Sequence, residues 1–353
     1  MTRPSNKPRP RRTTLADLAE LLGLDKSSVS LALRGSPKIG AATRSRVVAA
    51  ARQWNYRPNL AARQLATEAP QSVAMVLSAS FAPLDFGVVA TTVQSLARQA
   101  ASAGVAFGVL SCDDLVKAIE GNWQLPLYPD GVLIEGGVPA HAATVIEAAM
   151  RAAVVVDPHD LSYASYPGMT IGVDNADGSR QITEHLVAQG TRHLLFVLGS
   201  EDHLGHQRRW AATRQAWLLH RPLETLWFCH KSELTDSLLQ SFVGKDGAAI
   251  FCSNDLCALE VWHHLQLLSV PVPGQVLLAG FDAEVSSTLI GLTSARYDGE
   301  ALGRKAFEML MGRLKGDKAA EPQVLVPVDI YIGRTTERAM PHAAHGLPKT
   351  PRS

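Results

Sequence analysis

Apolar positions along this chain fall into two regimes. Between residues 13 and 66 they recur at helical intervals. Leu15, Leu18, Ala19 and Leu22 sit at i, i+3, i+4 and i+7, one face of a short helix. Thr14 with Asp17 three residues on predicts a capped start, and Gly23 predicts a left-handed stop. Asp25 caps a second predicted helix from Lys26. In it Val29, Ala32 and Leu33 share one face, while Lys26, Ser27, Ser28, Ser30 and Leu31 lie on or near the other. Gly35-Ser36-Pro37 breaks that helix, and a third, about Ala41 to Trp54, turns Val47, Val48 and Ala51 inward. Three short helices with a Gly-containing turn between the first two predict a helix-turn-helix, whose second helix can bring small polar side chains close to base edges.

From Ser72 onward the apolar residues come instead in short continuous runs: "SVAMVLS", "VAFGVL", "DGVLIEG", "AAVVVD", "MTIGVD", "HLLFVL", "AAIFC" and "VLLAGFD". Helical patterns separate several of them, as in Ala90–Ala101, Gly178–Gln189 and Asp255–Leu268. Such alternation predicts doubly wound parallel sheets covered on both faces. The runs are too many for one small sheet, so two similar α/β lobes are expected. Ligands of such lobes bind at strand C-termini, which places a site between them.

Charge sharpens this division. The chain of 353 residues is nearly neutral, at +1. Residues 1–66 nevertheless carry thirteen Lys and Arg against three Asp and Glu, a local +10, which leaves −9 for the rest. A basic end on an acidic body predicts a polyanionic partner for that end alone. The start, "MTRPSNKPRPRR", is Pro-rich and lacks the apolar core of a secretory signal, and no apolar run reaches about 18 residues. A cytoplasmic location is therefore expected. Cys112, Cys229, Cys252 and Cys257 form no Cys-x-x-Cys pair, so reduced, buried thiols are expected.

After the third helix, Pro58 stops the chain and Asn59 can cap another short helix ending near Leu65. Alone, such a helix is marginal in water. At this point the residues become specific. "TLADLAELLGLDKSSVSLALRG…TRSRVVAAARQWNYRPNLAARQLA" resembles the DNA-binding head and hinge of the lactose/galactose repressor (LacI/GalR) family. The resemblance implies a hinge helix that folds on operator DNA, with Leu65 as a minor-groove wedge and Ala62 where two hinge helices pack. It places Lys26 and Ser27 at the main base-reading positions, and Ser28, Ser30 and Thr14 among further contacts. Asn55, Tyr56, Arg57 and Asn59 then look like clamps on the DNA backbone. Leu31 departs from the Arg that many members carry. Leucine offers only apolar contact, for example with a thymine methyl.

The body carries the same resemblance in weaker form. "VDNADGSRQITEHLVAQGTRHLLFVLG", "AIFCSNDLCALEV", "VPGQVLLAGFDAE" and "LTSARYDGEALGRKAFEML" look like the family's periplasmic-binding-protein-like effector domain, while Phe81 to Gln124 matches poorly. Strand ends nominate Asp157, Asn254, Asp255 and Asp282 for the cleft. The resemblance adds Arg209 as the residue that grips the effector, with Arg208 as its alternative. Carboxylates, an amide and a guanidinium together suit the hydroxyls of a sugar or similar polar ligand. An Asp or Asn before a helix is also a common cap, so Asp255 is as readily a cap as a ligand contact. Phe81, Trp227 and His230 are weaker candidates for the pocket wall.

No phosphate-binding loop, nucleophile elbow or His-Glu-x-x-His occurs, so neither an enzyme nor a cofactor is expected. His203-x-x-His206 and His263-His264 lack further ligands at metal spacing. The expected organisation is a disordered basic arm (1–12), a helix-turn-helix domain (13–57), a hinge helix and linker (58–70), a two-lobed effector-binding and dimerisation domain (71–336) and a disordered tail (337–353). The expected function is a ligand-responsive, homodimeric transcriptional regulator, a repressor, on a pseudo-palindromic operator. The rival reading, a solute-binding protein for sugar transport, would need a signal peptide and leaves the basic head without a use.

Overall fold

The computed structural model describes residues 13–33, 35–54, 56, 69–78, 87–121, 125, 128–317 and 322–337. The chain divides into two compact units, residues 1–69 and 70–353. The expectations for the basic arm, almost all of the hinge and all but the first residue of the tail lie outside the described residues.

The head contains α1 (Leu15–Leu22), α2 (Lys26–Leu33) and α3 (Ala41–Gln53). The Thr14 hydroxyl accepts from the Asp17 amide, and the Asp17 carboxylate accepts from the Thr14 amide, which completes the predicted capping box. Gly23 closes α1 at φ 63°, a conformation open to glycine without strain. The core is Leu18, Ala19, Val29, Ala32, Val47, Ala50 and Ala51. One detail corrects the sequence reading: Ala50, not Val48, faces inward, because the buried stripe of α3 runs through 47, 50 and 51.

The body builds two six-stranded sheets. Lobe 1 pairs β1 (Ser72–Leu77), β2 (Ala106–Ser111), β3 (Gly131–Glu135), β4 (Ala153–Val156), β5 (Thr170–Val173) and β11 (Gln323–Val326) in the order β11-β5-β4-β3-β1-β2. All its pairings are parallel. Lobe 2 pairs β6 (His193–Leu198), β7 (Leu226–His230), β8 (Ala248–Cys252), β9 (Leu277–Phe281), β10 (Thr293–Tyr297) and β12 (Val328–Tyr331) in the order β12-β10-β9-β8-β6-β7. Only β12 runs antiparallel there. Strands β1, β3, β4, β5, β8 and β9 are buried almost throughout, as a sheet covered on both faces requires.

The helices of the body are α4 (Gly87–Ser102), α5 (Cys112–Ile119), α6 (Ala140–Ala149), α7 (Asn175–Ala188), α8 (Leu204–Leu218), α9 (Asp236–Val243), α10 (Asp255–Leu267), α11 (Val285–Leu289) and α12 (Gly299–Lys315). The chain passes between the lobes three times: from β5 into α7, from β10 into α12, and from β11 into β12. Asp174, Asp298 and Pro327 lie at these passages. Asp174 and Asp298 cap the helices that follow them, which fixes the direction of entry. The four cysteines are free and buried, as expected.

Candidate functional sites: a polar helix face and an interlobe cleft

The outer face of α2 is where the sequence placed it. Lys26 and Ser27 are exposed, and Ser28, Ser30 and Leu31 are partly so. Leu31 takes no part in the head's core. Asp25 caps α2 by accepting from the Ser28 amide at 2.8 Å, and the Ser27 and Ser28 hydroxyls also donate to it, at 2.5 and 2.6 Å. Those bonds hold the Asp25 carboxyl well below the usual range. Both serines therefore face outward with their protons committed to Asp25 and their oxygen lone pairs free to accept. Thr14 is exposed within its capping box. Tyr56 packs against the head's core rather than standing free. Asn55, Arg57, Asn59, Ala62 and Leu65 lie outside the described residues.

In the body, the C-terminal ends of the strands supply the cleft. Arg209 on α8 is only 5% exposed, and each side of its guanidinium is engaged. Nε donates to Asn175 Oδ1 at 2.7 Å, Nη1 to the Ser253 carbonyl at 2.6 Å, and Nη2 lies 3.1 Å from Asp282 Oδ1. Its flat face stacks on Phe281, 3.6 Å from the ring centroid. Asp282 follows β9 with φ 107°, and Asp157 follows β4 with φ 52°. Neither is glycine, so both positions hold backbone strain, which characteristically gathers at binding sites. Burial raises the Asp282 carboxyl to about 7, against the pull of Arg209, with Asp255, Asp157 and Glu284 pushing the same way as burial.

A cavity of about 760 Å³ opens beside Asp282. Thr91 and Ala301 line it from lobe 1, and Glu284, Val285 and Tyr297 from lobe 2. Asp157 borders a separate recess of about 40 Å³ with Asn175 and Arg208. Arg208 is exposed, so Arg209 is the buried cation of the pair.

The remaining candidates make contacts within the scaffold. Asn254 Oδ1 caps α10 by accepting from the Cys257 amide at 2.9 Å. Asp255 is fully buried. It accepts from Ser294 Oγ at 2.6 Å, from the Glu284 amide at 2.8 Å and from the Ser287 hydroxyl, and so ties α10 to α11 and β10. Burial raises its carboxyl to about 6. Trp227 lies on the edge strand β7, 43% exposed, with Lys245 Nζ 4.7 Å from its ring centroid. His230 caps the turn that follows β7. Neither lines the cavity beside Asp282. Phe81 lies outside the described residues.

Sequence reasoning missed Asn175, Ser253 and Phe281, the partners of Arg209. Each directly precedes or follows a residue at a strand end, which was the available signal. It also left His203 and His206 as ordinary loop and helix residues. They stack with His159 across the two lobes, with ring centroids 4.8 Å (159–203) and 3.9 Å (203–206) apart. The rings are nearly parallel, so their in-plane lone pairs do not converge. Among the described residues no group has the geometry to hold a metal ion.

Comparison with known proteins accords with both halves. The sequence profile of bacterial regulatory proteins of the lacI family matches residues 14–59, and that of the periplasmic binding protein-like domain matches residues 183–336. The HTH-type transcriptional regulator CelR of Thermobifida fusca is 27% identical over 343 residues, covering 90% of this chain and 96% of that protein. The lactose operon repressor of Escherichia coli strain K12 is 26% identical over 333 residues, covering 92% and 90%. Among solved structures, the Lac repressor dimer bound to operator and the anti-inducer ONPF superposes with a TM-score of 0.74 at 24% identity, covering 92% of this chain and 99% of that one. A CelR–cellobiose complex superposes with a TM-score of 0.61 at 21% identity, covering 92% and 100%. The chain thus joins a head matched by the lacI-family profile to a body matched by the periplasmic binding protein-like profile, in the order of the full-length transcriptional regulators that it resembles.

Proposed function

We infer that the protein is a cytoplasmic repressor that binds a pseudo-palindromic operator as a homodimer and releases or grips it in response to a small polar effector. The head would read DNA through Lys26, Ser27, Ser28, Ser30 and Leu31, with Thr14, Asn55, Tyr56, Arg57 and Asn59 on the backbone. Ala62 and Leu65 would act in the hinge at the centre of the site. Twofold protein matches twofold site. The apolar side chains Leu256, in the first turn of α10, and Val285 and Leu289, at the two ends of α11, are 49%, 72% and 80% exposed and suit burial against a second copy.

The observation that carries the effector reading is the engagement of Arg209. Its donors and its face are already occupied by Asn175, Ser253, Asp282 and Phe281. An anionic ligand seated on Arg209 would have to displace a buried ion pair. A ligand rich in hydroxyls can instead donate to Asp157 and to the outer oxygen of Asp282. A neutral, sugar-like effector fits this arrangement best, and no catalytic constellation stands beside it. CelR, captured with cellobiose, is a relative of that kind. Ligand binding shifts the equilibrium between lobe arrangements and, through the hinge, operator affinity.

The test is selection of operator sites from random DNA by the full-length protein, repeated with a panel of neutral sugars and their acid and phosphate derivatives. The expected result is a palindromic site whose occupancy changes with a neutral member. A change caused only by anionic members would overturn the effector class. Failure to select any site would overturn the regulator reading itself.

A further inference from the structure

His159 lies in the loop after β4 of lobe 1, and His203 and His206 lie at the start of α8 in lobe 2. Their three rings form one stack between the two lobes. The backbone fastens at the same place: the Leu204 amide donates to the His159 carbonyl at 2.6 Å, and Asp160 bridges His203. The loop of lobe 1 is itself held down, since the His159 and Asp160 amides both donate to the Gly136 carbonyl. A side chain on Gly136 would lie 1.8 Å from the Asp157 carbonyl oxygen, so only glycine allows this approach.

Protons decide whether the stack can form. His203 Nδ1 accepts from the His206 amide at 3.3 Å and so caps α8, which requires that nitrogen to be bare. His206 Nδ1 is buried without a hydrogen-bond partner, so a proton placed there would have nothing to bond. His159 differs, because both of its nitrogens face acceptors: Nδ1 the Asp157 carbonyl at 3.0 Å and Nε2 the Glu135 carboxylate at 3.2 Å. Glu135 is buried, and its Oε1 also accepts from the Gly137 amide. The other charged groups facing the stack are Arg209 and Lys231, whose positive charge opposes imidazolium. The Asp160 carboxylate is turned away to cap Ser162.

We propose that His159, His203 and His206 form a proton-operated clasp between the lobes, closed while His203 and His206 are neutral and released by acid. Burial, together with the neighbouring positive groups, lowers His203 far below the ordinary imidazole range and lowers His206 to about 3. The closed arrangement thus holds fewer protons than the open one. It is favoured above the ordinary imidazole value of about 6.5 and is lost as pH falls below it. Closure of the cleft then depends on pH as well as on effector, and the two inputs meet at α8, which carries both His206 and Arg209.

Small-angle scattering from the full-length protein without effector tests this. As pH falls from about 7.5 to 5.5, the radius of gyration should rise reversibly while the forward scattering, which reports mass, stays constant. The logarithm of the open-to-closed ratio should climb by up to about two per pH unit, one for each histidine. His206→Phe keeps a flat ring that cannot be charged and should halve that slope. His203→Phe combined with His206→Phe should abolish the transition. A wild-type radius that does not change with pH overturns the proposal, as does an unchanged slope in His206→Phe. Circular dichroism at about pH 7.5 checks that each variant is folded. Should the double variant fail that check, the slope of the single variant decides.

Discussion

Asp282 is where burial and charge compete most directly, and that gives the residue scale its clearest prediction. Its carboxyl is raised from 3.8 to about 7, so the folded chain holds that proton where the unfolded chain has lost it. The cost of ionising it is absent below pH about 4, grows as pH rises, and is complete above about 7. Asp282→Asn should therefore flatten the pH dependence of the thermal midpoint between 5 and 8 and leave the protein relatively more stable at the alkaline end. The same variant should lose effector response while keeping effector-free operator affinity. Removing one member of a buried charge pair typically costs about 2–5 kcal/mol of binding. Calorimetry and gel-shift titration read the two effects separately, and a wild-type response in the variant would move the site elsewhere. Leu31 gives a second prediction. It stands outside the head's core, so Leu31→Arg should alter sequence preference rather than unfold the head. A guanine should be favoured at the matched position by about 1–3 kcal/mol, read by repeating the site selection with the variant.

At the scale of elements, helix ends carry much of the specification. Thr14→Ala removes one half of the capping box and should destabilise the head by about 1 kcal/mol, seen as a lower melting temperature of the head. Thr14→Ser should restore it, because the hydroxyl is retained. An unchanged melting temperature in the Ala variant would mean that the box contributes nothing. These caps were legible in the sequence, since Thr14–Asp17 and Gly23 announce themselves by local spacing. The eight strand runs were legible for the same reason. Strands β7, β10, β11 and β12 were not. β7 is an edge with exposed Trp227 and Phe228, and β11 and β12 are four-residue crossovers with mixed exposure. Patterns that short do not separate from loops. In the cleft, Arg209 and Asp282 came from strand ends and family resemblance. Asn254 and Asp255 share the same strand-end signature, yet the scaffold uses both. The difference between a cap and a ligand contact lies in where the next element folds back, and that is a tertiary fact. The histidine stack was illegible because His159 comes from lobe 1 while His203 and His206 come from lobe 2.

On the scale of the whole molecule, the sequence concentrates positive charge, +10, in residues 1–66 and leaves −9 for the rest, so the proposed function assigns DNA to the first unit and the effector to the second. A truncated protein of residues 70–353 should therefore stay folded and dimeric but lose operator binding. The full-length protein should bind with steep salt dependence, about −0.9 in log–log slope for each phosphate neutralised. Specific binding retained by the truncated protein would contradict this division.

The guanidinium network of Arg209 bears on the order of events in time. Asn175, Ser253, Asp282 and Phe281 all belong to lobe 2, so that half of the cleft is assembled before any effector arrives. Below the ordinary imidazole value of about 6.5, where the histidine clasp is released, the half contributed by lobe 1 can complete the site only by approaching. Encounter should then occur on lobe 2, with closure as a slower, first-order step behind it. In stopped-flow mixing this predicts a fast phase whose rate rises with effector concentration, followed by a phase whose rate saturates. Gly136→Ala, which disturbs only the loop of lobe 1, should slow the second phase and spare the first. A single phase at all concentrations would mean that both walls are set before the effector enters.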